Sequence, residues 1–206
     1  SLFDKVSPLQ NLKSLEVGDN RFTGTIPTEI ALMTALDTLD LKSNIFSGVL
    51  PPELFRLKSL ITLRVSFNEF EGPLPAEIDN LENLQVLIFE ENRKIGGTIP
   101  NSFGNLTSLL RLDLGACGLT GTIPEALGNL TKVASLNLFN NYLTGTIPDA
   151  IGDMENLVVA IMHYNDLEGV VPPKLCSLRE DKLQMLEVDC KREVDCPVNC
   201  CTRCAD

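Results

Sequence analysis

A beat of 24 residues constrains this chain more than any other feature. Asn20, Asn44, Asn68 and Asn92 follow one another at that interval. Asn141 and Asn165 resume it after a gap of 49 that Cys117 divides into 25 and 24. The glycines Gly24, Gly48, Gly72, Gly97, Gly121, Gly145 and Gly169 keep the same time, as do Pro27, Pro51, Pro75, Pro100, Pro124, Pro148 and Pro172. One inserted residue near Ile95–Gly96 accounts for the single longer interval. Seven copies of one unit exclude chance and point to a stack of like units, none of which can bury its apolar edge alone.

The apolar residues hold the same register. Leu12, Leu15, Val17, Asn20 and Phe22 match Leu60, Leu63, Val65, Asn68 and Phe70, and again Val133, Leu136, Leu138, Asn141 and Leu143. Two leucines alternating around one outward residue make a short strand of period two. Stacked units would align these strands as a parallel sheet on a concave side. The Asn falls where the chain turns, and its amide can satisfy backbone groups of its own turn and of a neighbouring repeat, forming a ladder. Gly permits positive φ or close approach, and Pro fixes the turn that follows. The remaining P-x-x-L-x-x-L suits a short 3-10 or helical turn on the convex side. The expected fold class is an α/β repeat solenoid. Cys117 occupies a ladder position with Asn20, Asn44, Asn68, Asn92, Asn141 and Asn165, and reads as a small buried thiol in place of an Asn rather than a reactive group.

With no Trp and 5% aromatic residues, the core must be built of Leu, Ile and Val. A formal charge of −11 argues against nucleic acid and anionic membrane as main partners, since both need a basic surface. No apolar run approaches the roughly 20 residues that span a bilayer.

The unit L-x-x-L-x-L-x-x-N-x-L-x-G-x-I-P-x-x-L-x-x-L, written out in Leu119-Thr-Gly-Thr-Ile-Pro124 and Leu143-Thr-Gly-Thr-Ile-Pro148, resembles the plant-type leucine-rich repeat of receptor-kinase ectodomains and polygalacturonase-inhibiting proteins. The resemblance covers residues 9–178 as seven repeats and implies the fold strongly, the ligand much less. Residues 1–8 read as the end of a preceding repeat, since Leu2, Val6 and Leu9 align with Ile26, Ile30 and Met33, so Ser1 is not expected to be a natural mature start. Residues 179–206 read as a Cys-rich cap that resembles the ends of leucine-rich-repeat proteins from diatoms and related algae.

In a repeat protein of extracellular type, Cys176, Cys190, Cys196, Cys200, Cys201 and Cys204 read as three disulfides whose pairing the sequence leaves open. A zinc site on Cys196, Cys200, Cys201 and Cys204 is the weaker reading, because the ligand spacing is poor and no His is nearby. No metal or other cofactor is expected. The sequons at Asn105 and Asn129 are glycan acceptors if the chain is secreted by a eukaryotic route, although Gly-Asn-Leu-Thr is also repeat consensus.

The outward strand positions are free of the core and therefore free to recognise a partner. Phe67, Ile88, Phe139, Ile161 and Tyr164 place apolar groups where a solvent face predicts polar ones, and aromatics make good interface anchors. An acidic set, Asp19, Asp40, Glu90, Glu91 and Asp113, could meet a basic ligand, and Arg64 and Arg111 could grip an anion. His163, the single histidine, has no nucleophile or orienting acid placed around it by any motif, so catalysis is not expected.

Recognition of a protein, peptide or glycan outside the cell or at its surface is thus the leading expectation, with a co-receptor or a second copy as a further partner. Inhibition of a secreted enzyme and a structural adhesion or matrix role are the alternatives. Ice binding ranks last, because Ser47 and Glu71 break the row of Thr23, Thr120 and Thr144.

Overall fold

The computed structural model describes residues 2–3, 9–180, 182–190, 194–197 and 199–204, the side chains of 203 and 204 excepted. The outward strands of the sequence reading appear as Ser14–Glu16, Thr38–Asp40, Thr62–Arg64, Val86–Ile88, Arg111–Asp113, Ser135–Asn137 and Val159–Ile161. They stack in chain order as one parallel sheet. Met185–Val188 and Arg203–Cys204 continue that sheet through the C-terminal segment, so among the described residues it has nine strands rather than the seven the repeat count implies. The middle residues Leu39, Leu63, Leu87, Leu112, Leu136, Ala160 and Leu186 are fully buried. Each such leucine contributes about 2 kcal/mol of burial free energy.

The asparagines form the ladder. Asn92 Nδ2 donates to Val65 O of the preceding repeat at 2.9 Å and to Phe89 O of its own at 2.6 Å, while Oδ1 accepts from Phe70 N at 3.1 Å. Asn141 does the same with Leu114 O, Leu138 O and Phe139 O, and its Oδ1 accepts from both Cys117 N and Leu119 N. An amide this deeply buried is stabilising only because its donors and its acceptor are used.

The residue before each ladder position is left-handed in every repeat: Asp19, Ser43, Phe67, Glu91, Ala116, Asn140 and Tyr164 have φ between 50° and 60°. Asp and Asn adopt this conformation readily; Phe and Tyr do so at a cost of about 1–2 kcal/mol.

On the convex side six five-residue 3-10 helices, from Thr28–Leu32 to Asp149–Asp153, each follow an extended proline. The α-helix Pro173–Ser177 takes the next place in the row. Gly104, Gly128 and Gly152 sit where these helices touch: a Cβ on Gly128 would lie 2.3 Å from Ala150 O. A lateral ribbon runs between the two faces in two three-stranded pieces, Thr23–Gly24 to Glu69–Glu71 and Thr120–Thr122 to Asp166–Leu167. At the fourth repeat, where the extra residue falls, the ribbon narrows to the single parallel bridge between Glu71 and Lys94. Few as the aromatics are, Phe22, Phe46 and Phe70 stack along the solenoid at 6.3 Å between successive rings.

The C-terminal segment packs on the last repeat through disulfides and further strand pairing. Cys176 pairs with Cys200 and Cys196 with Cys201, and Cys190 is also disulfide-bonded. The side chain of Cys204 lies outside the described residues. The sulfurs of Cys190, Cys196 and Cys201 lie within 4.8 Å of one another, but in disulfides they are not thiolate ligands for zinc. Asp189 receives Tyr164 N at 2.9 Å and Asn165 N at 3.0 Å. At Asn20, Asn44 and Asn141 the corresponding N–H groups meet backbone carbonyls, as Asn141 N meets Tyr164 O.

Candidate functional site

The inner face separates the sequence-nominated residues into two groups. Phe67 and Tyr164 stand at the rim with half of their surface exposed, on the left-handed residue of their turns. Phe139, Ile161 and His163 are half-buried. Ile88 departs from the expectation: it is buried at 8% exposure. Its register partners are Arg64 and Asp113, and side chains converge on the inner side of a curved sheet. It therefore offers no apolar surface to a ligand.

The acidic set is also reassigned in part. Asp40 and Asp113 are buried. Asp40 Oδ1 accepts from Lys42 N, and Asp113 Oδ1 accepts from Gly115 N and from Asn137 Nδ2. Asn137 Oδ1 repeats the pattern on Phe139 N. These side chains tie down the backbone two residues on, which is a common local use of Asp and Asn. Arg64 and Arg111 pair with the same two acids at 3.3 and 3.2 Å, so each guanidinium already has a carboxylate partner within the chain. Burial, then the charges of Asp113 and Glu91, raise the pKa of Glu90, with Arg111 opposing.

Three rings from two adjacent repeats meet at the C-terminal end of the inner face. The centroids of Phe139 and His163 are 4.8 Å apart, those of Phe139 and Tyr164 5.5 Å, and those of His163 and Tyr164 5.0 Å. Their planes cross at 58–71°, the edge-to-face geometry that aromatic quadrupoles favour. His163 Nδ1 lies 3.3 Å from Glu187 Oε2. Glu187 was not nominated by the repeat register, because its strand pairs with Val159–Ile161 at an offset of 26 rather than 24, whereas Asp189, just past that strand, lies 24 residues after Asn165 and was within reach of the beat. The alternation of Leu186 and Val188 around Glu187 was the available signal.

Asn105 and Asn129 are exposed at the ends of two convex helices, far around the coil from this corner. Asn105 Nδ2 donates to Asp79 Oδ2 at 3.1 Å.

The leucine-rich-repeat pattern matches residues 11–33, 35–57, 59–81, 108–130 and 132–154, more than half of the chain. With this fold and ladder, the chain belongs to the leucine-rich-repeat family, in its plant-type form. A sequence comparison with curated proteins finds no match. Among solved structures, the plant peptide hormone receptor RGFR1 in complex with RGF2 superposes with a TM-score of 0.83 at 31% identity, over 92% of this chain and 30% of that one. The Arabidopsis receptor kinase HAESA, in complex with the peptide hormone IDA and the co-receptor SERK1, gives 0.79 at 34% identity, over 90% and 33%. A plant ice-binding protein gives 0.69 at 22% identity, over 97% and 70%, which is a likeness of fold. The chain spans about a third of the length of the two receptors.

Proposed function

We propose that this chain is an extracellular recognition module that binds an extended peptide or protein segment across its concave face. The observation that carries the reading is the corner of Phe139, His163 and Tyr164. An exposed tyrosine held in a left-handed backbone is an outlier that the fold does not need, since Asn140 and Asp19 serve the same turn elsewhere. Aromatics at an open face are the residues that most often anchor an interface. Support comes from similar structures that are receptors carrying peptide hormones, one with a co-receptor. The disulfides of the C-terminal segment suit the secretory pathway. Glycans on Asn105 and Asn129 would occupy the convex ridge and leave the inner face free.

The test is capture of partners from cell-surface and secreted extract on the immobilised, disulfide-intact chain, beside a Phe139→Asp/Tyr164→Asp variant. A partner held by the native chain and lost by the variant supports the reading. Equal capture by both moves recognition away from this corner and defeats it.

A further inference from the structure

We propose that the C-terminal segment carries a thiol-sensitive switch, in which a small thiol opens Cys196–Cys201 and the released thiolate takes Cys190 from its present partner. The basis is a meeting of sulfurs from two separate disulfides. Cys196 and Cys201 are bonded to each other, Cys190 belongs to another disulfide, and all three sulfurs lie within 4.8 Å of one another. They arrive from different pieces of chain. Cys190 follows the strand Met185–Val188, Cys196 follows Val194–Asp195, and Cys201 lies just before Arg203–Cys204. A new bond requires the sulfurs to close from within 4.8 Å to about 2 Å, which is the scale of a side-chain rotation rather than of backbone refolding.

Access and loop length decide which disulfide a small thiol opens first. Cys190, Cys196 and Cys201 are half-buried, whereas Cys200 is buried in its bond with Cys176. Cys196–Cys201 has a sequence separation of 5 and Cys176–Cys200 of 24, so the former constrains the chain less. The free thiol among the described residues, Cys117, is fully buried in the repeat core, so the attacking group comes from outside. The thiolate of a small thiol such as glutathione attacks Sγ of Cys196. A sulfur–sulfur bond forms there, and Cys201 leaves as a thiolate with the bonding pair. Cys201 then attacks Sγ of Cys190, and the former partner of Cys190 leaves as the thiolate. First attack at Cys201 gives the same outcome with Cys196 as the relay. Two disulfide bonds and one thiolate enter, and two disulfide bonds and one thiolate remain, so no oxidant or reductant is consumed. Asp189, next to Cys190, receives the Tyr164 and Asn165 N–H groups at 2.9 and 3.0 Å. Re-pairing at Cys190 therefore acts on the turn that carries Tyr164.

The native chain is held without denaturant in about 1 mM reduced glutathione, below the effective concentration of a thiolate on a neighbouring residue. Samples are quenched with acid over time, alkylated, and mapped by mass spectrometry with fragmentation across the disulfides. Glutathione should appear on Cys196 or Cys201, and a bond from Cys190 to the other of the two should build up while Cys176–Cys200 stays closed. In the re-paired chain the Tyr164 and Asn165 amides should exchange hydrogen about tenfold faster, and the repeat-core amides should not. Glutathione on Cys196 or Cys201 with no bond to Cys190 overturns the relay, as does opening of Cys176–Cys200 at the same rate. Resistance of Cys196–Cys201 to glutathione overturns it as well. Re-pairing with unchanged exchange at both amides leaves the chemistry in place and overturns the switch.

Discussion

The carbonyl of Cys117 accepts the Gly96 N–H at 2.9 Å, and this bond joins the two irregularities of the repeat. Elsewhere each ladder Asn Oδ1 accepts the N–H two residues past the preceding ladder residue: Phe22 to Asn44, Phe46 to Asn68, Phe70 to Asn92, Leu119 to Asn141 and Leu143 to Asn165. A thiol cannot play that part. At the fourth repeat the extra residue re-routes the chain, and Ile95 N–H turns to Asn92 O at 3.0 Å. The substitution and the insertion therefore answer each other.

Cys117→Asn alone should place an amide oxygen in a fully buried slot with no donor in reach, at a cost of about 1–3 kcal/mol. Deleting Lys94 alone should also destabilise, because the restored N–H would find a thiol. Together they should bring Ile95 to the place held by Phe70 and Leu119 and recover most of the loss. Urea midpoints of the four proteins form the cycle, and strict additivity would defeat the coupling.

Burial pushes the Cys117 thiol up from 9.0 to about 12, against a weaker lowering by the Asn92 backbone. Its folded pKa is thus above its unfolded one. The folded chain holds a proton that the unfolded chain releases, so this contribution is intact below about pH 9 and is lost as pH rises toward 12. Alkaline unfolding should be less steep in Cys117→Ala than in the native chain once the constant cavity cost is subtracted. A maleimide should label Cys117 only as fast as the chain opens. Rapid labelling of the folded chain at pH 8 would show that the thiol is accessible.

Two glycines separate steric from conformational cost. Gly128→Ala puts a Cβ 2.3 Å from Ala150 O, backbone against backbone, with nothing flexible to yield. It should cost about 3 kcal/mol and act through the convex helix stack. Gly24 has φ of +95° but open space around its missing Cβ. Gly24→Ala should cost about 1 kcal/mol from backbone strain alone. Denaturant midpoints that rank the two the other way would refute this account of the ridge.

The stack was legible because each repeat makes the same demand at the same place. Leu39, Leu63 and Leu87 are buried, and Asn44, Asn92 and Asn141 are bonded, for reasons that one copy predicts for all. The inner face was less legible because curvature and pairing decide exposure there. Ile88 vanished beneath its neighbours, and Asp40, Asp113, Arg64 and Arg111 consumed one another. Glu187 was missed because its strand breaks the beat that exposed everything else, and Asp189, which keeps the beat 24 residues after Asn165, was missed because an Asp stands there instead of an Asn. Phe139 and Tyr164 were found because aromatics on an outward position stand out in a chain with so few.

Tyr164 offers the cleanest separation of recognition from stability. Its side chain is 52% exposed and its φ is 56°, so its backbone would be better served by another residue. Asn is tolerated in this conformation and serves the turn before Asn141 at Asn140. Tyr164→Asn relieves about 1 kcal/mol of strain. It gives up edge-to-face contacts with Phe139 and His163 worth a similar amount. The melting temperature should therefore move by no more than a few degrees, which corresponds to about 1 kcal/mol in a chain of this size. Binding of a peptide selected on the native chain should fall at least tenfold, the ordinary cost of removing an aromatic anchor. Paired melting and anisotropy measurements decide the matter. A large drop in melting temperature would make the ring a structural member of the last repeat, and unchanged affinity would remove it from the recognition surface.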